Sequence, residues 1–427
     1  MQKPIVIKCG TLIDGEADKP SHDVSILVED GRIAAVEAGA ALDGLSDAET
    51  IDASGAVVMP GMMDIHLHLA SPNVSTRQDV DVARFSRSAS SMLMETVRHA
   101  QLMLEAGFTL VRDFDWPTPQ GSFHEAIVSM REAFDSGLLP GPRLVVGGLT
   151  HITASHFDLG MPRSAQRAPG ITADGPWEIR RQVRTNIRNG VDVLKTCISG
   201  GLGTFGEENV WSRNITPEEL SALVDEAHAF GKPVAAHCHT PDSVRVAVEA
   251  GVDTIEHCVY IDDDAIARVV DAGKPVIPTL AFRQRKIIER RRRRGAPPDV
   301  VAQMERLLDE TSRTFQRYHA AGARIAMGTD TNVEPGFGEN ALELEVYVNL
   351  GMTPMEAIMT ATRNAAEAIG RADELGSIRR GKLADLIVVR GNPLDDIAIL
   401  SDTRNIRVVM KGGKVLVDRR EQTRAAA

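Results

Sequence analysis

The chain has 427 residues, of which 43% are hydrophobic and 25% are charged. These proportions are ordinary for a soluble globular protein. The length fits one large domain of about 250–300 residues together with a smaller one. The formal net charge of −11 argues against nucleic acid or an anionic membrane as a partner, because the summed field repels polyanions.

The cysteines and the hydrophobic segments of the chain indicate which cellular compartment to expect. The four cysteines, Cys9, Cys197, Cys238 and Cys258, show neither CxxC spacing nor the density of a disulfide scaffold. No apolar run approaches the roughly 20 residues that span a bilayer. The N-terminal MQKPIVIKCGTLIDG also lacks the long apolar segment of a signal peptide. We therefore expect a reduced, cytoplasmic protein without a membrane partner.

Both ends of the chain carry β-type patterns. Residues 5–58 contain short runs (PIVIKCG, SILVED, RIAAVEA, AVVMPG) separated by turn signals at Asp30-Gly31 and Ser54-Gly55. Near the other end, ADLIVVRG is followed by IRVVMKGGKVLVD, where Gly412-Gly413 predicts a hairpin turn. Neither end is long enough to bury a core alone, so we expect them to pair into one small sheet domain.

Between the two ends, short apolar strands alternate with helical patterns, which is typical of repeated βα units. Two helix starts, TPEE at Thr216 and TPME at Thr353, have the Thr, Pro and Glu of a capping box. The pattern predicts an α/β fold with a (β/α)8 TIM barrel. A doubly wound open sheet is the alternative, but no GxGxxG follows the early strands. The predicted strands are Met62–Leu69, Thr109–Phe114, Arg143–Gly148, Val191–Ile198, Pro233–Cys238, Asp253–Cys258, Pro275–Ala281 and Arg324–Asp330.

Residues that can bind a metal lie near the C-terminal ends of these strands, where a barrel places its active site. A lone strand histidine is more often a hydrogen-bonded core or surface residue, and a buried lysine is costly unless something pairs with it. A bound divalent ion would account for the histidines and the lysine together. Imidazole and carboxylate groups are its usual ligands, and a lysine can become a ligand once its amine is converted into a carbamate. The set comprises His66, His68, Lys195, His237, His257 and Asp330.

Cys238 and Cys258 directly follow two of these histidines. Strand alternation turns them away from the barrel interior and towards the helices. We therefore interpret both as small apolar packing residues and not as zinc ligands.

The motifs PGMMDIHLHL, VDVLKTCISGG, PVAAHCHT, DTIEHCVYIDDD and MGTDTN together resemble the amidohydrolase superfamily. The branch that they resemble holds imidazolonepropionase-like proteins, prolidases and related Xaa-Pro or arginine carboxypeptidases. The resemblance covers nearly the whole chain and implies a (β/α)8 barrel with a small β-sandwich built from both termini. The implied limits are 1–59 and 371–427 for the β-sandwich and 60–370 for the barrel.

The resemblance also implies a role for each candidate ligand. His66, His68 and Asp330 would bind the more buried metal, and His237 and His257 the more exposed one. Lys195, carboxylated by CO2, would bridge the two divalent ions together with a hydroxide, and Asp330 would move a proton to the leaving nitrogen. Zinc is the expected metal, with cobalt and manganese as alternatives. His237 is taken as the ligand in preference to His239, which then lies in or beside the substrate pocket.

Loop residues are the candidates for substrate contacts. In THITASHFDLG, His156 matches a family histidine, whereas Ala154-Ser155 replaces the usual Gly-Gly and His151 is an additional imidazole. An ordinary loop with surface histidines is the alternative for both. Trp211, together with Phe205, could line an apolar subsite. Tyr260 could hydrogen-bond a carbonyl or a carboxylate, or it could simply pack at the barrel rim.

The run Arg283–Arg294, RQRKIIERRRRR, follows the seventh predicted strand. One hypothesis makes it a cationic lid that attracts carboxylate substrates. A solvated helix face or a subunit contact is the interpretation that we favour.

These features predict a metal-dependent hydrolase that cleaves a C–N bond in a small molecule such as a dipeptide or an N-acyl amino acid. Hydrolysis of an aryl carbamate, urea or thiocarbamate is the main alternative. A cyclic amidase, a deaminase and a non-catalytic barrel relative are further alternatives. The resemblance implies that Lys195 argues against a deaminase, and the complete ligand set argues against a non-catalytic relative. The resemblance also leads us to expect a homo-oligomer.

Overall fold

Two seven-stranded sheets organise the chain. The computed structural model describes residues 3–42, 44–45, 47–72, 82–83, 85–115, 123–160, 172–202, 209–296, 298–331 and 336–420. The strands are β1 Ile5–Leu12, β2 Ser21–Glu29, β3 Arg32–Ala38, β4 Glu49–Pro60, β5 Met62–Leu67, β6 Phe108–Asp113, β7 Arg143–Leu149, β8 Val193–Cys197, β9 Val234–Cys238, β10 Thr254–His257, β11 Val276–Ile277, β12 Leu386–Val389, β13 Ile406–Lys411 and β14 Lys414–Asp418.

The first sheet joins the two ends of the chain in the order β14-β13-β12-β4-β1-β2-β3. Only β1 and β4 pair in parallel. Gly412 and Gly413 have φ of 55° and 73°, which suits the tight turn between β13 and β14 and confirms the predicted hairpin. The turn expected at Ser54-Gly55 is wrong, because both residues lie inside β4. Both termini thus build one small sheet, as predicted.

The second sheet consists of β5 to β11, all parallel and in sequence order. The eighth predicted strand is irregular, but residues 324–331 still pair on both sides. Ile325 bridges Val276 of β11, and Thr331 bridges Leu67 of β5. This segment closes the sheet into the predicted (β/α)8 barrel.

Helices surround the barrel and follow its strands. The predicted capping boxes are present, since Thr216 and Thr353 each exchange hydrogen bonds with the Glu three residues later. Among the described residues, no helix combines the length and the apolar character needed to cross a membrane. The helices are α1 Ala89–Glu105, α2 His124–Asp135, α3 His156–Leu159, α4 Pro176–Arg188, α5 Pro217–Ala229, α6 Pro241–Ala250, α7 Asp263–Asp271, α8 Arg285–Arg293, α9 Pro298–Ala320, α10 Leu342–Asn349, α11 Pro354–Thr360 and α12 Arg363–Ala368.

The main hydrophobic core lies between the barrel strands and these helices. Cys238 and Cys258 are buried in it together with residues such as Ala236 and Ile255. They are free thiols, and burial raises the pKa of Cys238 to about 12. The expectation that both cysteines are packing residues agrees with this position.

Candidate metal centre

The backbone adopts left-handed conformations at the C-terminal ends of several barrel strands. His257, Thr279 and Asp330 have φ of 74°, 54° and 54°, a left-handed conformation that is uncommon without glycine. Gly328 allows its segment to approach β5, because a Cβ there would lie 2.6 Å from the Cβ of His66. These bends direct side chains from several strands to one point above the barrel.

His66, His68 and Asp330 meet at the end of β5. Oδ1 of Asp330 lies 3.8 Å from Nε2 of His66 and 3.3 Å from Nε2 of His68. His68 donates from Nδ1 to the backbone carbonyl of Asp115 at 2.6 Å. With Nδ1 engaged in this bond, Nε2 of His68 faces Asp330, as it would in a metal ligand.

A second group of imidazoles lies beside the first. The ring centres of His237 and His257 are 4.6 Å apart, and that of His257 lies 4.7 Å from that of His66. The nitrogens of His237, His239 and His257 lie within 4.8 Å of one another, as do the ligand atoms of His66, His257 and Asp330. The structure therefore has two candidate metal positions that share His257.

Lys195 extends from β8 into the same space. Its side chain is almost completely buried, and its Nζ has no hydrogen-bond partner. The amine lies 4.5 Å from the ring centre of Phe114. Burial lowers the pKa of Lys195, which favours the neutral amine. A buried amine that has no hydrogen-bond partner and acts electrostatically on His66, His237 and His257 fits a lysine that is modified into a bridging ligand.

A buried ion pair lies directly beneath these ligands. Oε2 of Glu256 accepts from Nδ1 of His66 at 2.6 Å, and Oε1 accepts from Nη2 of Arg112 at 2.9 Å. The hydroxyl of Thr254 adds a bond of 2.6 Å to Oε1. Although burial opposes ionisation, Arg112 and His66 lower the pKa of Glu256 to about 2. The carboxylate fixes the ring of His66 in the orientation that a metal ligand requires.

The sequence analysis missed Glu256 and Arg112. Glu256 could have been identified from the sequence, because it directly precedes His257 and a charged residue inside an apolar strand needs a partner. A third residue that it missed, Asp64, accepts bonds from Thr329 at 2.6 Å and from Asn340 at 2.7 Å. These bonds hold the closing segment against β5.

Although burial opposes it, Asp330 raises the pKa of His68, whereas the imidazoles of His66, His237 and His257 are held in their neutral form. Burial is the largest cause in each case. It lowers the pKa of His66 to about 4 and those of His237 and His257 well below the ordinary value, and neighbouring histidines and Lys195 lower them further. Neutral imidazole is the form that binds metal ions. The pKa of Asp330 is also lowered, since the hydrogen bond from His68 and the nearby positive groups outweigh its burial.

Comparison with known proteins agrees with this geometry. The family model described as the amidohydrolase family matches residues 57–416. The chain belongs to that family. It is therefore a hydrolase acting on carbon–nitrogen bonds, and the predicted superfamily is confirmed.

Three relatives specify the branch of the amidohydrolase family. Ochratoxinase of Aspergillus niger is 31% identical over 436 residues, covering 97% of this chain and 86% of the relative. Imidazolonepropionase of Geobacillus kaustophilus is 26% identical, covering 92% and 90%. The crystal structure of an Xaa-Pro dipeptidase with methionine bound in its active site is 30% identical, has a TM-score of 0.87, and covers 96% of this chain and 99% of its own. The predicted imidazolonepropionase and prolidase-like branch is thereby confirmed.

In this amidohydrolase, several of the predicted substrate residues lie beside the imidazoles. The ring of His156 stacks on that of His237 at 4.8 Å, and its backbone is held by Oδ1 of Asn214 at 2.7 Å. The backbone N–H of Tyr260 donates to the carbonyl of His239 at 2.8 Å, and its ring stacks on Trp211 at 5.4 Å. The rim over the centre is therefore aromatic.

His151 is placed differently from His156. Its ring packs against Phe157 at 5.3 Å, and burial lowers its pKa to about 4 while Asp115 and Asp158 act in the opposite direction. A direct substrate contact by His151 stays a prediction. Phe205, proposed with Trp211 as part of an apolar subsite, lies outside the described residues.

Proposed function

We propose that this amidohydrolase uses divalent metal ions to cleave the amide bond of a small molecule such as a dipeptide or an N-acyl amino acid. The observation that carries the proposal is the buried Nζ of Lys195, which has no hydrogen-bond partner and acts electrostatically on His66, His237 and His257. Without a modification or a cation nearby, an amine in this position has no stabilising partner.

The residues present fit two metal ions. His66, His68 and Asp330 would hold the first, and His237 and His257 the second, with zinc as the first candidate and cobalt or manganese as alternatives. His239 belongs to the same imidazole group and is the alternative to His237. When bound, two such ions supply a hydroxide at neutral pH and polarise the scissile carbonyl.

Lys195 would hold the two positions together. A neutral lysine amine reacts with CO2 to form a carbamate, which carries a negative charge and two oxygens. Burial already favours the neutral amine. Carbamate formation would release a proton and convert the buried amine, which has no hydrogen-bond partner, into an anion whose oxygens could serve as metal ligands.

Asp330 is the residue suited to proton transfer. Its carboxylate lies next to two ligand histidines, and its low pKa keeps it ionised and able to accept a proton. We propose that Oδ1 or Oδ2 takes the proton of the attacking water and delivers it to the departing nitrogen.

The rim residues would select the substrate. His156 and His239 lie against His237 and His257 and can donate to a substrate carbonyl. Tyr260 and Trp211 form an aromatic wall, and His151 would act from the loop behind His156. The Xaa-Pro dipeptidase relative holds an amino acid, methionine, in its active site, which supports an amino-acid product here.

An aryl carbamate, urea or thiocarbamate is the second candidate substrate class. The observation that favours it is the stacking of Trp211, 61% exposed, on Tyr260, because an open aromatic surface suits a flat ring. The chemistry at the metal centre would be the same.

A substrate screen tests the proposal. The metal-reconstituted protein is assayed with dipeptides, N-acyl amino acids, aryl carbamates and aryl ureas. We expect turnover of dipeptides or N-acyl amino acids. Turnover confined to aryl carbamates or ureas would favour the second candidate, and absence of turnover across all four classes would contradict both. A homo-oligomer remains a separate prediction, which light scattering can test.

A further inference from the structure

The arginine-rich run after β11 divides into two parts in the structure. Along helix α8, Arg290 pairs with Glu339 and Arg292 with Glu305 at the surface. This part is the ion-paired, solvated helix that we favoured from the sequence. Arg283, the first residue of the run, lies instead on the 3-10 turn Ala281–Arg283 and is only 2% exposed.

The turn that carries Arg283 is fixed against the metal centre. The carboxylate of Glu343 accepts the backbone N–H groups of Leu280 at 2.8 Å and Ala281 at 2.6 Å. Nη1 of Arg283 lies 3.4 Å from the carbonyl of Thr279. The hydroxyl of Thr279 in turn bonds with Nδ1 of His257 at 2.8 Å. The guanidinium therefore lies at the same strand end that orients a metal ligand.

The guanidinium of Arg283 lacks an anionic partner among the described residues. Its contacts are the long bond to the carbonyl of Thr279 and the ring of Phe282, 4.1 Å away. Burial lowers its pKa to about 10, against the opposing influence of Asp330, Glu343 and Tyr260. It thus stays charged at neutral pH, and a buried guanidinium without an anion is energetically costly.

A guanidinium offers five donors in a plane that matches a carboxylate. Arg283 lies beside residues that bound the proposed substrate pocket, since Thr279, which it contacts, bonds with His257, and the ring of His257 lies 4.9 Å from that of His239. An anionic group of the substrate in this position would complete the hydrogen bonds of the guanidinium.

We propose that Arg283 binds the α-carboxylate of the amino acid on the leaving side of the scissile amide. The inference rests on the proposed hydrolase function and specifies its substrates as acids, not neutral amides. The inference also gives Arg283 a role different from that of Arg290 and Arg292 of the same run, which form ion pairs at the surface.

The test compares an acid with its neutral amide. Binding of L-methionine and of L-methioninamide is measured by calorimetry on metal-reconstituted wild type, Arg283→Gln, Arg283→Lys and the control Arg292→Gln. Acetate release from N-acetyl-L-methionine and N-acetyl-L-methioninamide gives the corresponding kcat/KM values. Metal content and thermal unfolding are recorded for each variant.

We expect wild type and Arg292→Gln to prefer the acid by about 30-fold or more, as for a buried charge pair. Arg283→Gln should reduce this preference to about 3-fold or less at unchanged metal content. Arg283→Lys should recover part of it, because it keeps the charge without the planar fork. If Arg283→Gln is unstable, the comparison of acid and amide in Arg283→Lys still decides, since an unchanged preference there contradicts bidentate binding.

Two outcomes for Arg283→Gln would overturn the inference while leaving the hydrolase intact. One is an acid preference that persists in Arg283→Gln. The other is an equal loss for acid and amide, which means that Arg283 only offsets the charge of Asp330. A wild type that binds neither ligand, or both equally, also overturns it. If methionine binding depends on Arg283 but the screen finds no turnover, the proposed function fails, and only the carboxylate contact of Arg283 stands.

Discussion

His66 donates from Nδ1 to Oε2 of Glu256 at 2.6 Å, with both side chains almost completely buried. Glu256 is itself held by Arg112 at 2.9 Å. A carboxylate in this position selects the tautomer in which Nε2 of His66 carries the free lone pair. The interior of the barrel thus orients the metal ligand from below.

The first prediction concerns this orientation. Glu256→Gln should weaken divalent-ion binding by about 10- to 100-fold, because the amide fixes the imidazole less firmly than the carboxylate does. Metal affinity is measured by equilibrium competition with a chelator. Glu249→Gln, at an exposed position that pairs with Arg268, is the matched control and should bind as wild type. Equal affinities in both variants would show that the bond has no part in metal binding.

The second prediction concerns Lys195. Lys195→Ala should lower kcat by about 100-fold or more, since the bridging ligand accounts for part of the several kcal/mol that a metal pair contributes. Added formate or acetate should restore part of the rate by entering the vacated space as a carboxylate. The assay is a titration of kcat against acid concentration. A fully active, metal-replete Lys195→Ala variant would remove the carbamate from the account.

The third prediction concerns the aromatic wall. Trp211→Ala should reduce kcat/KM for substrates with an aromatic acyl group by up to about 10-fold, because an aromatic contact contributes roughly 0.5–1.5 kcal/mol. Stability should be unchanged, since Trp211 is 61% exposed. Trp177→Ala is the control, as Trp177 is 84% exposed and lies on helix α4, not on the loop that carries Trp211. Identical kinetics in the two variants would exclude Trp211 from the substrate site.

The fourth prediction concerns pH and Glu343. Burial raises its pKa from 4.5 to about 8, so the folded chain holds this proton more tightly than the unfolded chain does. Its contribution to the free energy of unfolding is complete below about pH 4.5 and is lost as the pH rises through about 8.

Urea unfolding of wild type and Glu343→Gln across this range measures that contribution. Relative to the variant, wild type should lose stability as the pH rises. Glu345→Gln, two residues along the same helix and paired with Lys286 at the surface, should follow the wild-type profile. Parallel profiles for wild type and Glu343→Gln would contradict the raised pKa.

The barrel and its ligand-bearing strands could be predicted because the candidate metal ligands lie near the ends of hydrophobic strand segments in the sequence. Parallel strands end at one edge, so His66, Lys195 and His237 could be expected to approach one another before any coordinates were known. Both terminal β segments, with the Gly412-Gly413 hairpin, followed from local turn chemistry.

The orientation of Glu256 could not be predicted, and the reason is local. Neighbouring residues of a regular strand point to opposite faces. If His257 faces the barrel interior, Glu256 is therefore expected on the outer face of the barrel. The φ of 74° at His257 breaks that alternation, so both side chains reach His66. The same kind of bend, with φ of 54° at Asp330, makes the closing segment irregular where a regular strand was expected.

Arg283 illustrates a different limit of sequence reasoning. Its residue type is the same as that of Arg292, and both belong to one charged run. Arg283 lies on a turn whose backbone is held by Glu343, 60 residues further along the chain, whereas Arg292 pairs with Glu305 at the surface. The difference in burial between Arg283 and Arg292 depends on tertiary structure, and no local sequence pattern predicts it.

The most direct test of the account is the hydrolysis rate of the purified chain before and after metal removal. N-acyl amino acids and dipeptides are assayed with the protein as isolated, after dialysis against a chelator, and after addition of zinc, cobalt or manganese. The account predicts that the rate disappears on chelation and returns when one of these ions is restored to about two per chain. A chelated protein that contains no divalent ion and hydrolyses the same substrate at the original rate would contradict it.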